Sequence, residues 1–240
     1  MNHGCARCGV GDQSVFLRVE IPVTKPSLTI PLLVKEARVF ATAESSHAEP
    51  TLFGVTDGKA VGTYLELKFR KHLFDRYTFE QGNAAKGIDF PDLGVDVKTT
   101  SFRQPQSSCP FKSARQKIFG LGYCLLVFVY EKTDDTKTNT GRLGILHVIF
   151  VDAKCTADYQ MTRGLLQILD NAGNADDLIA YMTDKNLPID EIEANKIAEY
   201  LLKKRPEQGY LTISNALQWR LQYTRVIEQA GKVDGIVRIG

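Results

Sequence analysis

Apolar positions follow two periods along the chain, and each change of period marks an element. Val61, Leu65, Phe69 and Leu73 recur at every fourth position with Tyr64 beside them. This spacing predicts a helix beginning near Ala60, with Asp57-Gly58-Lys59 as turn and cap. Residues 87–100 switch to alternation. Ile88 and Phe90 flank Asp89 on the way in, and Val95 and Val97 alternate with Asp96 and Lys98 on the way out. Pro91-Asp92-Leu93-Gly94 supplies turn chemistry between the arms, so a β-hairpin is expected. With Phe90 opposite Val95, Asp89 faces Asp96 and Lys98 follows on the same face.

Residues 101–111 read as a polar loop, and residues 112–119 as a short helix ended by Gly120–Gly122. Tyr123–Tyr130 is nearly continuous in apolar residues, as a strand buried on both faces would be. Residues 133–142 form a polar turn, and Leu143–Val151 returns as a second buried strand. Residues 51–155 are thus an α/β core with a mixed sheet. Beyond Cys155 the pattern is helical, over 162–170 and 176–183. Asp190 followed by Glu193 resembles a capping box opening a third helix, which carries Ile192, Ile197, Ala198, Leu201 and Leu202. Segments 212–218, 223–230 and a short strand at 235–239 complete a mainly helical region, 156–240, that loosely resembles a winged helix-turn-helix. Ahead of the core, Val15–Ile21, Ser27–Val34 and Ala37–Ala41 are broken by Pro22, Pro26 and Pro31. Residues 1–50 are therefore expected to hold two or three short strands or an arm, with 43–51 as a polar loop.

Composition adds little to this picture. The chain has 240 residues, 43% hydrophobic and 24% charged, with a net charge of +2. That balance is ordinary for a globular protein and too weak to imply nucleic acid, so a basic surface would have to come from local clustering. No apolar run approaches the roughly 20 residues of a membrane helix, and the N-terminus has no signal-peptide pattern. Five cysteines at 5, 8, 109, 124 and 155 are an odd number and fit a reducing, cytoplasmic setting. Cys5 and Cys8 with His3 invite zinc, but no second ligand pair follows at normal spacing, and a packed or disordered tail is the alternative. Neither Cys109 nor Cys124 has a histidine arrangement for thiol catalysis, and no phosphate-gripping Gly-x-x-x-x-Gly-Lys loop is present.

The chemistry lies in the hairpin. Two carboxylates opposed at about 5 Å repel by roughly 3 kcal/mol at an effective dielectric near 20. A divalent cation would turn that repulsion into a binding site. Glu66 flanks the helix stripe, where its simplest role is a solvated pairing with Arg70 at i+4. Glu66, Asp89 and Asp96-Val97-Lys98, followed by a helix with basic and Gln residues and a buried strand, resemble the PD-(D/E)xK nuclease superfamily. Within it they resemble the type II restriction endonucleases. The similarity covers roughly 55–151. Asp89 and Asp96 are seven residues apart, at the short end of the pattern, and Asp92 is the other candidate for the first aspartate.

The resemblance implies a restriction-endonuclease-like fold and a Mg²⁺-dependent, sequence-specific double-stranded DNA endonuclease acting as a homodimer. It implies a metal held by Asp89, Asp96, the carbonyl of Val97 and Glu66, with Lys98 as the remaining catalytic residue. Arg103, Gln104, Gln106, Ser107, Arg115, Gln116 and Lys117 follow the catalytic strand and, with Arg220 and Arg225, are candidates for DNA contact. A structure-specific repair or junction nuclease and a non-catalytic winged-helix DNA-binding protein are the alternatives.

Overall fold

The computed structural model describes residues 1, 25–80, 82, 87–109, 112–214 and 219–240. The expectations for His3, Cys5, Cys8 and Val15–Ile21 lie outside them. The first described element is a helix, α1 (Ile30–Ser46), where short strands were expected. Pro31 sits in its first turn, where no N–H is needed, so it starts the helix and does not break a strand. Leu33, Ala37, Phe40, Ala41 and Glu44 are buried at helical spacing. Stretches rich in branched residues suggested strands, but burial at i, i+4, i+7 decides. The two buried glutamates of α1 are matched from the next helix, α2 (Gly58–Phe74): Glu36 by His72 at 2.7 Å and Glu44 by Lys68 at 2.9 Å.

Asp57 caps α2 by accepting from the backbone N–H groups of Lys59 and Ala60, and Val61, Leu65, Phe69 and Leu73 are buried as the stripe predicts. The hairpin follows. Phe90 and Val95 exchange backbone hydrogen bonds of 3.0 and 3.2 Å, the expected register. A single 3-10 turn, Pro91–Leu93, connects them and ends at Gly94 with φ 60°, a left-handed conformation that favours glycine. The strand β1 (Val95–Ser101) is not chiefly a hairpin arm, however. After β2 (Gln106–Cys109), which occupies part of the expected polar loop, and the one-turn helix α3 (Gln116–Phe119), the chain enters β3 (Cys124–Asp135). There β1 pairs parallel to β3 over its whole length.

β4 (Thr140–Val151) runs antiparallel to β3, and the expected polar turn shrinks to the four residues between them. β3 is buried on both faces, as its continuous apolar run requires. Leu126, Phe128 and Tyr130 pack under α1 and α2, where Phe40, Phe69 and Phe128 meet with ring centroids 5.1 to 5.9 Å apart. Leu125, Val127 and Val129 face a second core built with the C-terminal residues.

The helices α4 (Tyr159–Asp170), α5 (Ala175–Asp184) and α6 (Glu191–Lys203) form a third core with Ile118 of α3. Asp190 caps α6 through Glu193 N, while the reciprocal capping box is at Asn174 and Asp177 of α5. The strands after α6 do not make a wing of their own, and the winged-helix expectation finds no support. β5 (Thr212–Ile213) and β6 (Trp219–Gln222) pair with each other, and β6 pairs with β2 in the order β2-β6-β5. After the short helix α7 (Thr224–Gln229), β7 (Ile236–Arg238) adds to β4, completing a main sheet ordered β1-β3-β4-β7. The fold is α/β, a mixed sheet flanked by helices. Wrapped this way, the C-terminal segments belong to the same cores as β3.

Asp158 joins these parts. Its buried carboxylate caps α4 through Met161 N at 2.9 Å and accepts from Ile213 N of β5 at 2.8 Å. Asp158→Ala removes a cap and leaves a buried strand N–H unmatched, so unfolding in urea is expected to show a loss of about 2–4 kcal/mol. Asp158→Asn keeps one acceptor and is expected to lose less.

Candidate active site

β1 is an edge strand, and the candidate residues approach its free edge from three directions. The register with β3 turns Asp96 and Lys98 to the face of Leu125 and Val127, and Val97 and Thr99 to the opposite face, beneath α2. The edge itself is taken by Asp89. Its Oδ2 accepts from Val97 N at 2.9 Å, so the N–H and carbonyl of Val97 both point to that side. On the α2 side, Glu66 Oε1 accepts from Thr99 Oγ1 at 3.3 Å. Glu66 does not pair with Arg70 as its spacing suggested: Arg70 Nη2 lies 2.7 Å from Asp89 Oδ1 and holds it at the edge. Asp92 is turned away, accepting from Glu80 N at 3.2 Å.

The electrostatics are strained. Asp96 is 3% exposed, and burial pushes its carboxyl up to about 7, with Lys98 opposing the shift and Asp89 adding to it. Burial also raises Glu66, and the Asp89 carboxylate raises it further. Lys98 is pulled down by burial, but Asp96, Asp89 and Glu66 outweigh this and hold it above the ordinary lysine value. Lys98 Nζ lies 2.7 Å from Asp96 Oδ2. This ion pair supplies a charge partner, and the buried oxygen has no further donor among the described residues. Among the described residues, no three His, Cys, Asp or Glu side chains already converge at metal-binding distance. What the site does have is an under-satisfied buried carboxylate oxygen, two further carboxylates and a strand carbonyl, all hard oxygen donors of the kind Mg²⁺ takes.

The candidates for DNA contact separate into three groups. Gln106 and Arg220 share one face of the β2–β6 ribbon, where the register pairs Gln106 with Gln222 and Ser108 with Arg220. Arg103 and Gln104 are exposed in the β1–β2 connection, with Arg103 3.3 Å from Glu131. Ser107 is on the inner face of the ribbon, its hydroxyl sharing a 2.5 Å hydrogen bond with the buried Tyr223. Arg115 is paired with Glu193 at 2.7 Å, and Arg225 lies over the ring of Tyr159. Gln116 and Lys117 are buried, which runs against their expected contact with DNA in this conformation. Gln116 bonds the Leu121 carbonyl and Lys112 N, closing the loop around α3. Arg70, Thr99 and Gln222 were not singled out from sequence. Arg70 was legible as the i+4 neighbour of Glu66, but only the hairpin's return beside α2 exposes its partner.

The family Type II restriction enzyme NspV matches residues 27–238. A curated relative, Type II restriction enzyme NspV of Nostoc sp. (strain ATCC 29411 / PCC 7524), is 66% identical over 212 residues, 88% of this chain and 96% of the relative. The chain belongs to the NspV family of type II restriction enzymes. No solved structure matches it. As a member of the NspV family it is a site-specific deoxyribonuclease, an endonuclease and hydrolase of a restriction system. Both the non-catalytic DNA-binding reading and the structure-specific one are set aside by that membership. The matched span begins before α1 and reaches β7, so the family pattern includes the helical region as well as the sheet.

Gly62 sets how closely α2 approaches β1. A Cβ there would lie 2.7 Å from Thr99 Oγ1, the hydroxyl that reaches Glu66. Alanine in a helix interior normally gains up to about 1 kcal/mol over glycine. Gly62→Ala is expected instead to lower the melting temperature. With Thr99→Ala as the background, the same change is expected to raise it, and a double-mutant cycle reads this reversal of sign directly.

Proposed function

We propose that the free edge of β1 is the active site of a Mg²⁺-dependent, sequence-specific double-stranded DNA endonuclease of PD-(D/E)xK type. The observation that carries the reading is the register of β1. It sets Asp89 against Val97 N at the edge, with Asp96 and Lys98 on one face and Glu66 on the other. Asp89, rather than Asp92, is the first aspartate of the motif. Asp89 and Asp96, with the Val97 carbonyl and Glu66, would hold the ion, and the buried Asp96 oxygen that meets the Lys98 ammonium and no further donor among the described residues fits that role. When bound, such an ion polarises the scissile phosphate and lowers the pKa of its water.

The chain's own groups do the positioning. Arg70 fixes Asp89, and Thr99 fixes Glu66. Lys98 lies among the carboxylates of Asp96, Asp89 and Glu66, 2.7 Å from Asp96 Oδ2. Its ammonium can orient the attacking water and counter charge on the phosphate oxygens. Gln106, Gln222, Ser108 and Arg220 line one face of the β2–β6 pair, which β5 extends to three strands, and amide and guanidinium groups on such a face can read base edges in the major groove. Arg103 and Gln104 extend this surface beside β1. Cutting both strands of a symmetric site calls for two such edges, and hence a homodimer. The free thiols of Cys109, Cys124 and Cys155 fit a cytoplasmic setting.

Lys98→Ala and Asp89→Asn are each expected to lower cleavage of plasmid DNA with Mg²⁺ by about a hundred- to a thousandfold, the range set by losing a charge stabiliser, while duplex binding is retained. Cutting without metal, or full activity in both variants, would refute the reading. Gln106→Ala and Gln222→Ala are expected to relax discrimination at single positions by about 1–3 kcal/mol. Cleavage rates on sites carrying one altered base pair measure this.

A further inference from the structure

Two clefts away from the β1 edge are lined by cations, and they differ in how those cations are neutralised. One, of 510 Å³, includes Arg115, Lys154, Lys204 and Arg205. Arg115 is paired with Glu193, Lys154 with Asp234 and Arg205 with Asp170. The other, of 420 Å³, lies between α4 and α7 and is lined by Tyr159, Arg163, Gln208, Tyr210, Arg225 and Gln229. None of its lining residues is acidic, and neither arginine has a carboxylate partner among the described residues.

The arginines are held for binding. Arg225 Cζ lies 3.7 Å from the centroid of the Tyr159 ring, and Arg163 Cζ lies 5.9 Å from the same ring. Arg225, stacked on the ring, keeps its donors in plane, and Arg163 spends one of its five, Nη1 donating to the Tyr159 hydroxyl at 3.4 Å. Arg225 Nε is buried with no hydrogen-bond partner, an arrangement that proteins rarely leave unmatched. Gln208 is immobilised as a wall, the two hydrogens of its Nε2 shared among Tyr159 O, Thr162 Oγ1 and Gly209 O at 2.8 to 3.2 Å. Two uncompensated guanidiniums on one aromatic support suit an oxyanion that accepts forked hydrogen bonds.

We infer that this pocket is a phosphate-binding site separate from the β1 edge, gripped by Arg163 and Arg225. The inference rests on the endonuclease reading for the choice of phosphate as the anion. Arg225 follows Tyr223 by two residues, and the Tyr223 hydroxyl meets Ser107 of the ribbon at 2.5 Å. A phosphate held here therefore bears on how the ribbon is set. Two sources supply the same chemistry, a backbone phosphodiester of bound duplex and free inorganic phosphate.

The test is fluorescence anisotropy of duplex binding by the full chain without metal, across a salt series, alongside thermal melting with inorganic phosphate. For Arg163→Gln/Arg225→Gln, a DNA source predicts a fall of about 1 to 2 in the slope of log affinity against log salt. Affinity should drop equally for cognate and random duplexes. An unchanged slope, with phosphate raising the melting temperature of wild type but not of the variant, assigns the site to free phosphate. If the double variant matches wild type in both assays, the proposal is overturned. Gln229→Glu guards against a folding artefact. It puts a carboxylate beside the arginines, so it should melt at or above wild type while reproducing the loss, and unchanged binding in it also overturns the proposal. Wild-type protein that neither binds nor cuts DNA would remove the endonuclease reading instead, and the phosphate melting series would still decide the pocket.

Discussion

The parallel pairing of β1 with β3 is the constraint on which the rest of the structure depends. β3 is buried on both faces, so each face of β1 beside it is committed to a core. Val95 and Val97 go under α2, and Asp96 and Lys98 go to the other side. A slip of one residue would exchange those sets and drive a carboxylate and an ammonium into the packing of Phe69, Leu65 and Phe128. The register is therefore held by apolar burial, and the chemistry is held by the register. Asp89 reaches the Val97 amide only because that amide faces the unpaired edge.

Burying charge at this edge has an energetic cost that the protein does not remove. Asp96 is pushed upward by burial, Glu66 is pushed up as well, and the Lys98 ammonium offsets the shift of Asp96 only in part. Replacing such a group by a well-packed apolar residue commonly stabilises a protein. In the proposed function, a cation bound at this edge would relieve that cost. The buried carboxylates of α1 contrast with it: Glu36 and Glu44 are each matched from α2 and fasten the two helices.

The C-terminal half bears directly on the same edge. Thr100 Oγ1 donates to the Gln106 carbonyl at 3.2 Å, tying β1 to the start of the ribbon, and Tyr223 N donates to the Pro105 carbonyl at 2.8 Å. Tyr223 is fully buried and feels the charges of Asp96 and Glu66. The polar face of β2 and β6 and the edge of β1 are thus joined through a few hydrogen bonds.

Local pattern alone determined a good part of this protein. The α2 stripe, the Phe90–Val95 pair, the doubly buried β3, the helices α4 to α6 and the acidic and lysine positions of the hairpin were all legible, because each depends on spacing within one segment. The α1 region was misread as strands because branched residues and prolines outweighed a helical period that emerges only once Glu36 and Glu44 find partners on α2. What tertiary structure alone decided was pairing between distant segments: Arg70 with Asp89 in place of Glu66, β5 and β6 with β2 in place of a separate wing, and Gln116 and Lys117 turned inward. Sequence spacing specifies which face a side chain takes, but not which element comes to lie against that face.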